Sequence, residues 1–278
     1  MLENEINVLK IFYLGYKYYG FSAQKDVPTV EGYLREVLRD LVKDRKIHIT
    51  YSSRTDRGVH AIGQIITINV SNLDIDNLNI KLPEDIAIWA YAKAPKNFDA
   101  RRGTIYRHYK YIIQRKDLDL ERIKNALKDL IGVHDFRKFC YKIRGPVIRR
   151  IYYAKTEKTE DGYVIIEFIG SKFARGLIRN LITLLMEIGS GKLNYTNIWD
   201  FNGKLHMAPP ENLYLVNSYY PLNYKINDIG VEKVLSILNR RLSESPEEAY
   251  ILREMLKDFR RLLNEIKEFN EIYTSMSN

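Results

Sequence analysis

The sequence predicts an α+β protein built from two sequential ferredoxin-like halves that share a mostly antiparallel sheet, followed by a helical hairpin. Three observations carry this reading. Strand and helix patterns run strand–helix–strand over residues 1–100, then strand–helix–strand–strand–helix–strand over 104–220. That order is not the regular alternation of a doubly wound parallel sheet. Beyond residue 225 the apolar period changes to a heptad. The expected divisions are therefore 1–100, 101–224 and 225–278.

Each element has a local reason. Ile6–Leu14 alternate and read as a strand, followed by the loop GYKYYGFSAQ. Thr29 is placed to cap a helix whose apolar face is Val30, Tyr33, Leu34, Val37, Leu38 and Leu41. Ile62–Val70 and Asp85–Ala92 read as strands, as does Thr104–Gln114, which puts Arg107, Tyr109 and Tyr111 on one face and His108 and Lys110 on the other. Asp119 caps a helix to Ile131, with Gly132 beyond its end. Strands follow at Val147–Lys155 and Tyr163–Gly170, then an apolar helix from about Ala174 to Ile188 and a last strand at Leu213–Tyr220. In the tail, Ser245-Pro246-Glu247-Glu248 reads as a capping box. Leu252, Met255, Phe259, Leu262, Ile266, Phe269 and Tyr273 step by three and four, and Val231, Val234 (or Leu235), Leu238 and Leu242 form a shorter matching stripe. Residues 228–273 are thus expected to form a helical hairpin, packed on the body or against a second subunit.

The chain has 278 residues, 45% hydrophobic and 28% charged, an ordinary globular composition. A single cysteine, Cys140, excludes a disulfide framework and a cysteine-rich zinc site. His48, His60, His108, His134 and His206 show no metal-ligand spacing. The N-terminus lacks the apolar core of a secretory signal, and the longest apolar stretch, Leu181–Gly191, is too short to span a bilayer and contains Glu187. A soluble cytoplasmic protein is expected.

Charge is unevenly placed. Residues 101–150 carry 15 basic and 5 acidic side chains, while the net charge of the whole chain is +9. Two runs dominate: Arg101, Arg102, Arg107, Lys110, Arg115, Lys116, then Arg137, Lys138, Lys142, Arg144, Arg149, Arg150. Tyr106, Tyr109, Tyr111, Phe136, Phe139 and Tyr141 interleave with them. Cations follow a phosphate backbone and aromatic faces stack on unpaired bases, so the segment points to nucleic acid. The plainer alternative is a solvated strand face over an aromatic core.

Two motifs invite chemistry. Gly189–Lys192 (GSGK) follows a helix, and Met186 stands where a phosphate-binding loop needs glycine, so it reads as a helix stop. The run Ser53-Arg54-Thr55-Asp56-Arg57-Gly58-Val59-His60-Ala61 lies between apolar strands. Asp56 can be an ordinary turn residue. Against that, Arg54 and Arg57 flank it, which favours an ionised carboxylate, and Gly58 permits a backbone turn that aims it. A single such carboxylate can act as nucleophile or base at a sugar or base carbon. A metal nuclease needs a second acidic cluster, which the sequence lacks, and a glycosidase pair leaves no sequence signature.

Several ordered motifs across residues 6–222 resemble the TruA family of tRNA pseudouridine synthases. Tyr13–Gln24 is similar to the family's opening YDGxxYxGxQxQ element, followed by Thr29-Val30-Glu31. Arg54–Ala61 with Gln64 resembles the catalytic RTDxGVHAxxQ, Phe98–Arg101 the FHAR element, and Arg107–Tyr111 the RxYxY strand. Gly132–Phe136 resembles GxHDF, Phe173 with Leu177–Asn180 resembles FLxxMVRN, and Ala208–Leu215 the APxxGLxL close. Leu14, Phe21, Arg57 and Asn212 depart from the family's usual residues, and the tail after about 225 lies outside the resemblance.

The resemblance implies the pseudouridine-synthase fold and isomerisation of uridine to pseudouridine in the tRNA anticodon arm, commonly at positions 38 to 40, without metal or organic cofactor. It places Asp56 as the catalytic carboxylate, Tyr109 as the ring that stacks on the uracil and assists proton removal at C5, and Arg179 as the arginine paired with the aspartate. Arg54, Arg57, His60, Gln64, Arg101, Lys110 and Tyr109 are the expected substrate-binding set, and a homodimer is the expected assembly. The same chemistry on other uridines, or RNA binding without catalysis, stands as the alternative. The first half is then expected to hold the catalytic loop and the second the basic RNA-binding surface.

Overall fold

The computed structural model describes residues 5–42, 47–70, 72–141, 143–194 and 196–277, and only the backbone of 273–277. Lys142 and the side chain of Tyr273, which the basic run and the heptad include, lie outside the described residues. The chain divides into two compact units, Met1–Thr104 with Val216–Asn278, and Ile105–Leu215.

The first unit begins with β1 (Glu5–Tyr13), α1 (Val30–Leu41), β2 (Ile49–Tyr51), β3 (His60–Ile68), α2 (Ile75–Lys81), β4 (Ile86–Pro95) and α3 (Ala100–Gly103). The second holds β5 (Tyr106–Ile113), α4 (Leu120–Leu130), β6 (Gly132–Asp135), β7 (Ile148–Lys158), β8 (Val164–Gly170) and α5 (Leu177–Gly189). β9 (Leu213–Tyr219) carries the chain back, and β10 (Lys225–Ile226), α6 (Asp228–Glu244) and α7 (Ala249–Ser277) complete the first unit. Strand pairing is antiparallel within each unit: β1 with β3 and β4, β2 with β3, β10 with β4; and β5 with β8, β7 with β8, β6 with β7. The expected class, α+β on antiparallel sheets with a C-terminal helical segment, is the one observed.

The caps act as the sequence predicts. Thr29 accepts from the Gly32 N–H at 3.2 Å. Asp119 accepts from Glu121 and Arg122 at 2.9 and 3.2 Å. The GSGK segment ends α5: Gly191 N–H bonds Ile188 O at 3.1 Å, and Leu193 N–H bonds Glu187 O at 3.1 Å. Short elements escaped the pattern: β2 has three residues, β6 four, and α2 seven, capped by Asp74. None spans enough residues to show a period. α5 starts at Leu177, later than expected, because Gly176 holds a left-handed turn at φ +74°.

The capping box is a correction. Pro246–Glu248 forms a 3-10 turn in which Ser245 makes no side-chain cap. Glu248 instead takes both nitrogens of Arg241, at 2.8 and 2.9 Å. A bidentate ion pair is stronger than a bond to a neutral amide, so the carboxylate turns away from the helix end.

The heptad seam is used within its own unit. Leu252, Met255, Phe259 and Leu262 are buried, while Phe269 is exposed. Phe259 meets Trp89 edge-on at 5.3 Å, and the buried Trp89 indole donates to Ile62 O at 2.7 Å. Beside them lies a charge: Lys10 Nζ, fully covered, donates to Asn217 Oδ1 at 2.7 Å and Ser218 O at 3.3 Å and faces the Tyr224 ring at 4.8 Å.

Burial lowers the Lys10 ammonium from its ordinary 10.5 to about 7, against the opposing pull of Glu265. Between those values the unfolded chain binds the extra proton, so stability rises as pH climbs through the window. Lys10→Met abolishes this contribution. The melting temperature of the unmodified protein should therefore gain on that of Lys10→Met between pH 7 and pH 10; a pH-independent difference would show that Lys10 keeps its charge throughout.

Candidate active site

Asp56 sits half-buried on the loop between β2 and β3. The loop hangs from fixed backbone bonds. Gln64, buried on β3, accepts from Ser53 N–H at 3.1 Å through Oε1 and donates to Ser53 O at 2.7 Å through Nε2. Its Oε1 also takes the Ser52 hydroxyl at 2.6 Å. Thr55 Oγ1 lies 2.7 Å from the buried Tyr13 hydroxyl, and Phe21 N–H donates to Thr55 O at 3.2 Å. Past the aspartate, Gly58 at φ +82° donates to Tyr18 O at 3.3 Å, and Val59 N–H closes the turn on Asp56 O at 3.2 Å.

Two residues expected at the substrate are also tied to the protein's own backbone. Gln64 is a template for the loop backbone. His60 is buried, and its Nδ1 accepts from Gly15 N–H at 2.8 Å, which requires a neutral ring with its proton on Nε2. The arginines behave differently. Arg54 and Arg57 are exposed; Arg54 Nε donates to Ser22 Oγ at 3.0 Å, and Arg57 stacks over Tyr19 at 4.1 Å. Arg101 is exposed on α3, whose first turn is capped by Asp99.

The second unit holds Tyr109 on β5, opposite Phe168 and buried, with Phe173 edge-on at 5.5 Å. Lys110 is buried too, directly opposite Glu167 in register. Glu167 lies 2.6 Å from His108 Nε2 and 3.4 Å from Lys155 Nζ. Burial alone would raise its pKa; His108, Lys110 and Lys155 overcome that and hold it down at about 2. Lys110 thus belongs to a buried charge cluster. Arg107, also buried, donates to Ser171 O at 2.6 Å. Arg179 stands on α5, half-buried, its Nε donating to Ala208 O at 2.6 Å while Ala208 N–H returns to Arg179 O at 3.2 Å. That reciprocal clamp fixes the guanidinium by the loop ahead of β9.

Asp56, Arg54, Arg57, His60 and Gln64 share one loop–strand segment of the first unit, and Tyr109, Lys110 and Arg179 belong to the second. Among the described residues no group of three or more His, Cys, Asp or Glu is placed to hold a metal, and no helix is long and apolar enough to cross a membrane.

Comparison with known proteins decides the family. Residues 126–221 match the family model described as tRNA pseudouridine synthase. The chain is 31% identical over 268 residues to tRNA pseudouridine synthase A of Methanosarcina barkeri, covering 88% of this chain and 98% of that protein. It is 32% identical to that of Listeria welshimeri over 74% of this chain and 95% of that protein. The chain belongs to the tRNA pseudouridine synthase A family. Its activity is that family's, an isomerase forming pseudouridine in tRNA.

The similarity also reaches further along this synthase than its motifs do. The match to the enzyme of Methanothermobacter thermautotrophicus, 29% identical, covers 95% of this chain, so it extends past residue 225. The tail has a counterpart there. The basic segment of the synthase is partly a surface and partly a core. Arg101, Arg102, Arg137, Lys138, Arg144 and Arg150 are exposed. The interleaved Tyr111, Phe136 and Phe139 are buried, the two phenylalanines against Trp199 at 5.4 and 5.6 Å, so they cannot stack on bases. Tyr111 lies on β5, which is covered on both faces, and Phe136 and Phe139 bracket a 3-10 turn at Arg137–Phe139 that puts both rings inward.

Gly20 is a point of close approach beneath the aspartate loop. Its φ is +98°, and a Cβ there would lie 2.7 Å from Thr55 O. Gly20→Ala is expected to cost about 1–2 kcal/mol in backbone strain and to push the Asp56 loop outward. Thermal melting and pseudouridine formation should both fall; unchanged activity would show that the loop tolerates displacement.

Proposed function

We propose that this synthase isomerises uridines of the anticodon stem-loop, at positions 38 to 40, with Asp56 as the essential carboxylate. The mounting of Asp56 carries the catalytic part of the proposal: the carboxylate is accessible, while Ser53, Thr55, Gly58 and Val59 on either side are tied down by hydrogen bonds of 2.7–3.3 Å. A reacting group gains most from being held in position before substrate arrives. The choice of the anticodon arm rests on the motif resemblance.

The reaction balances without any added reagent. The bond from uracil N1 to C1′ breaks, the base turns, C5 joins C1′, and the C5 proton leaves as N1 gains one. Asp56 serves by attacking a carbon or by removing a sugar proton; both need the ionised form. The motif resemblance assigns Tyr109, whose ring here packs against Phe173, to the uracil, and Arg179, whose Nε is held by Ala208 O, to the aspartate. The target base has to leave its stack to reach them. Arg54, Arg57 and Arg101, all exposed, contact phosphates and so position the RNA without reading its sequence. His60, Gln64 and Lys110 build the scaffold behind these groups.

Unmodified tRNA transcripts, incubated with the enzyme and mapped for pseudouridine, test the reading. Positions 38 to 40 should be modified, and Asp56→Asn should be at least about 10²-fold slower. Modification confined to another arm overturns the anticodon assignment; an active Asp56→Asn overturns the catalytic one.

The homodimer is part of the same proposal. Phe269 and Ile272 on α7 are 45% and 60% exposed, in contrast to the buried Leu252, Met255, Phe259 and Leu262 of the same helix. Phe269→Ser with Ile272→Ser should halve the mass seen by sedimentation, and an unchanged mass places the contact elsewhere.

A further inference from the structure

The loop Gly15–Phe21 has the Asp56 loop on one side and the α6–α7 hairpin on the other, all within the first unit. On the aspartate side, Gly15 N–H, Tyr18 O and Phe21 N–H engage His60, Gly58 and Thr55. On the hairpin side, the Arg241 guanidinium lies over the Tyr16 ring at 4.9 Å, and the Glu248 carboxylate is near enough to the Tyr16 hydroxyl to raise its pKa. Arg241 and Glu248 are themselves joined in a fork by two bonds of 2.8 and 2.9 Å. The same ring meets the His60 ring at 4.4 Å. A second tether runs parallel: Arg240 binds Glu84 at 2.7 Å, Lys17 lies 3.8 Å from Glu84, and the Tyr18 hydroxyl binds Asp85.

We infer that Tyr16, Arg241 and Glu248 form a positioning clamp by which the C-terminal hairpin sets the Asp56 loop for catalysis. The inference rests on the assignment of Asp56 as the catalytic carboxylate. Burial raises the Tyr16 phenol far above its ordinary range and Glu248 raises it further, so the ring presents a permanent O–H donor to the carboxylate. Glu248 holds Arg241 in a two-bond fork, and the same guanidinium lies over the Tyr16 ring, so the three side chains are linked. Tyr16 then has one orientation, and through His60 and Gly15 so does the turn that follows Asp56. The clamp touches neither the reacting base nor the ribose in this scheme; its effect is on the placing of the carboxylate, where small displacements are expensive in rate.

The test is a double-mutant cycle on the full-length enzyme. Tyr16→Phe and Glu248→Ala should each slow single-turnover pseudouridine formation on saturating tRNA by about tenfold. Their combination should be no slower than the worse single variant, since both break the same link. Affinity for tRNA should stay within about twofold of wild type, because no RNA contact is removed. Glu248→Gln, which keeps an oxygen for Tyr16, should recover most of the rate. Unchanged rates, additive losses, or a loss confined to tRNA affinity would each overturn the clamp. Asp56→Asn run alongside separates the two failures. If that variant is inactive while the clamp variants are normal, only the clamp is wrong; if it is active, the assignment beneath it is.

Discussion

A carboxylate that works on RNA has to be wet enough to meet its substrate and stiff enough to meet it in one geometry. Here the stiffness comes from the side-chain amide of Gln64, bonded at 2.7 and 3.1 Å to the backbone of Ser53. An irregular loop leaves backbone N–H and C=O groups without ladder partners, and those near the core need substitutes. A glutamine amide, carrying one acceptor and one donor side by side, pairs with a peptide unit as another strand would. The loop is thereby treated as an extension of β3 while its tip stays outside the sheet. Thr55, bonded at 2.7 Å to Tyr13 on β1, adds a second anchor next to the aspartate itself.

Buried charge is used in two opposite ways in the two units. Glu167 keeps its charge because His108, Lys110 and Lys155 surround it, and together they overcome burial. Lys10 has one carboxylate acting on it, Glu265, and two neutral acceptors, so burial wins and its pKa falls to about 7. The difference is one of coordination, since a buried ion keeps its charge in proportion to what is hydrogen-bonded to it. Lys110 and Arg107 show why a count of basic residues overstates a nucleic-acid surface: both belong to the rich basic run, and both are spent on internal partners.

The long elements were legible because each carries enough residues to show its period and enough capping chemistry to mark its ends; α1 and α4 begin where Thr29 and Asp119 place them. The candidate site was legible in a different sense. The run from Arg54 to His60 announced a polar loop between buried strands, but not which of its members faces outward. His60 and Gln64 read as substrate ligands, and their bonds to the backbone of Gly15 and Ser53, one of them 45 positions away, were not legible. The clamp of Arg179 by Ala208 spans 29 positions, and no local pattern contains it. At Ser245–Glu248 the pattern was present and lost: a capping box is a local bargain, and Arg241 with Tyr16 offered Glu248 a better one.

That displaced carboxylate bears on why the hairpin exists in this chain. A helical extension needed only to cover Trp89 would be complete with the buried half of its seam, Leu252 to Leu262, and its hairpin turn would need no charged network. The turn nevertheless commits Arg241 and Glu248 to a tyrosine of the opening loop, and α6 commits Arg240 to Glu84, which the neighbouring Lys17 also approaches. Ion pairs at the surface add little to stability one by one. Their value here lies in direction: each fixes a side chain of the loop that also carries the backbone bonds to Thr55 and Gly58. Apolar packing holds the hairpin on the sheet without specifying orientation finely, and the polar contacts at its turn supply the orientation that packing leaves open.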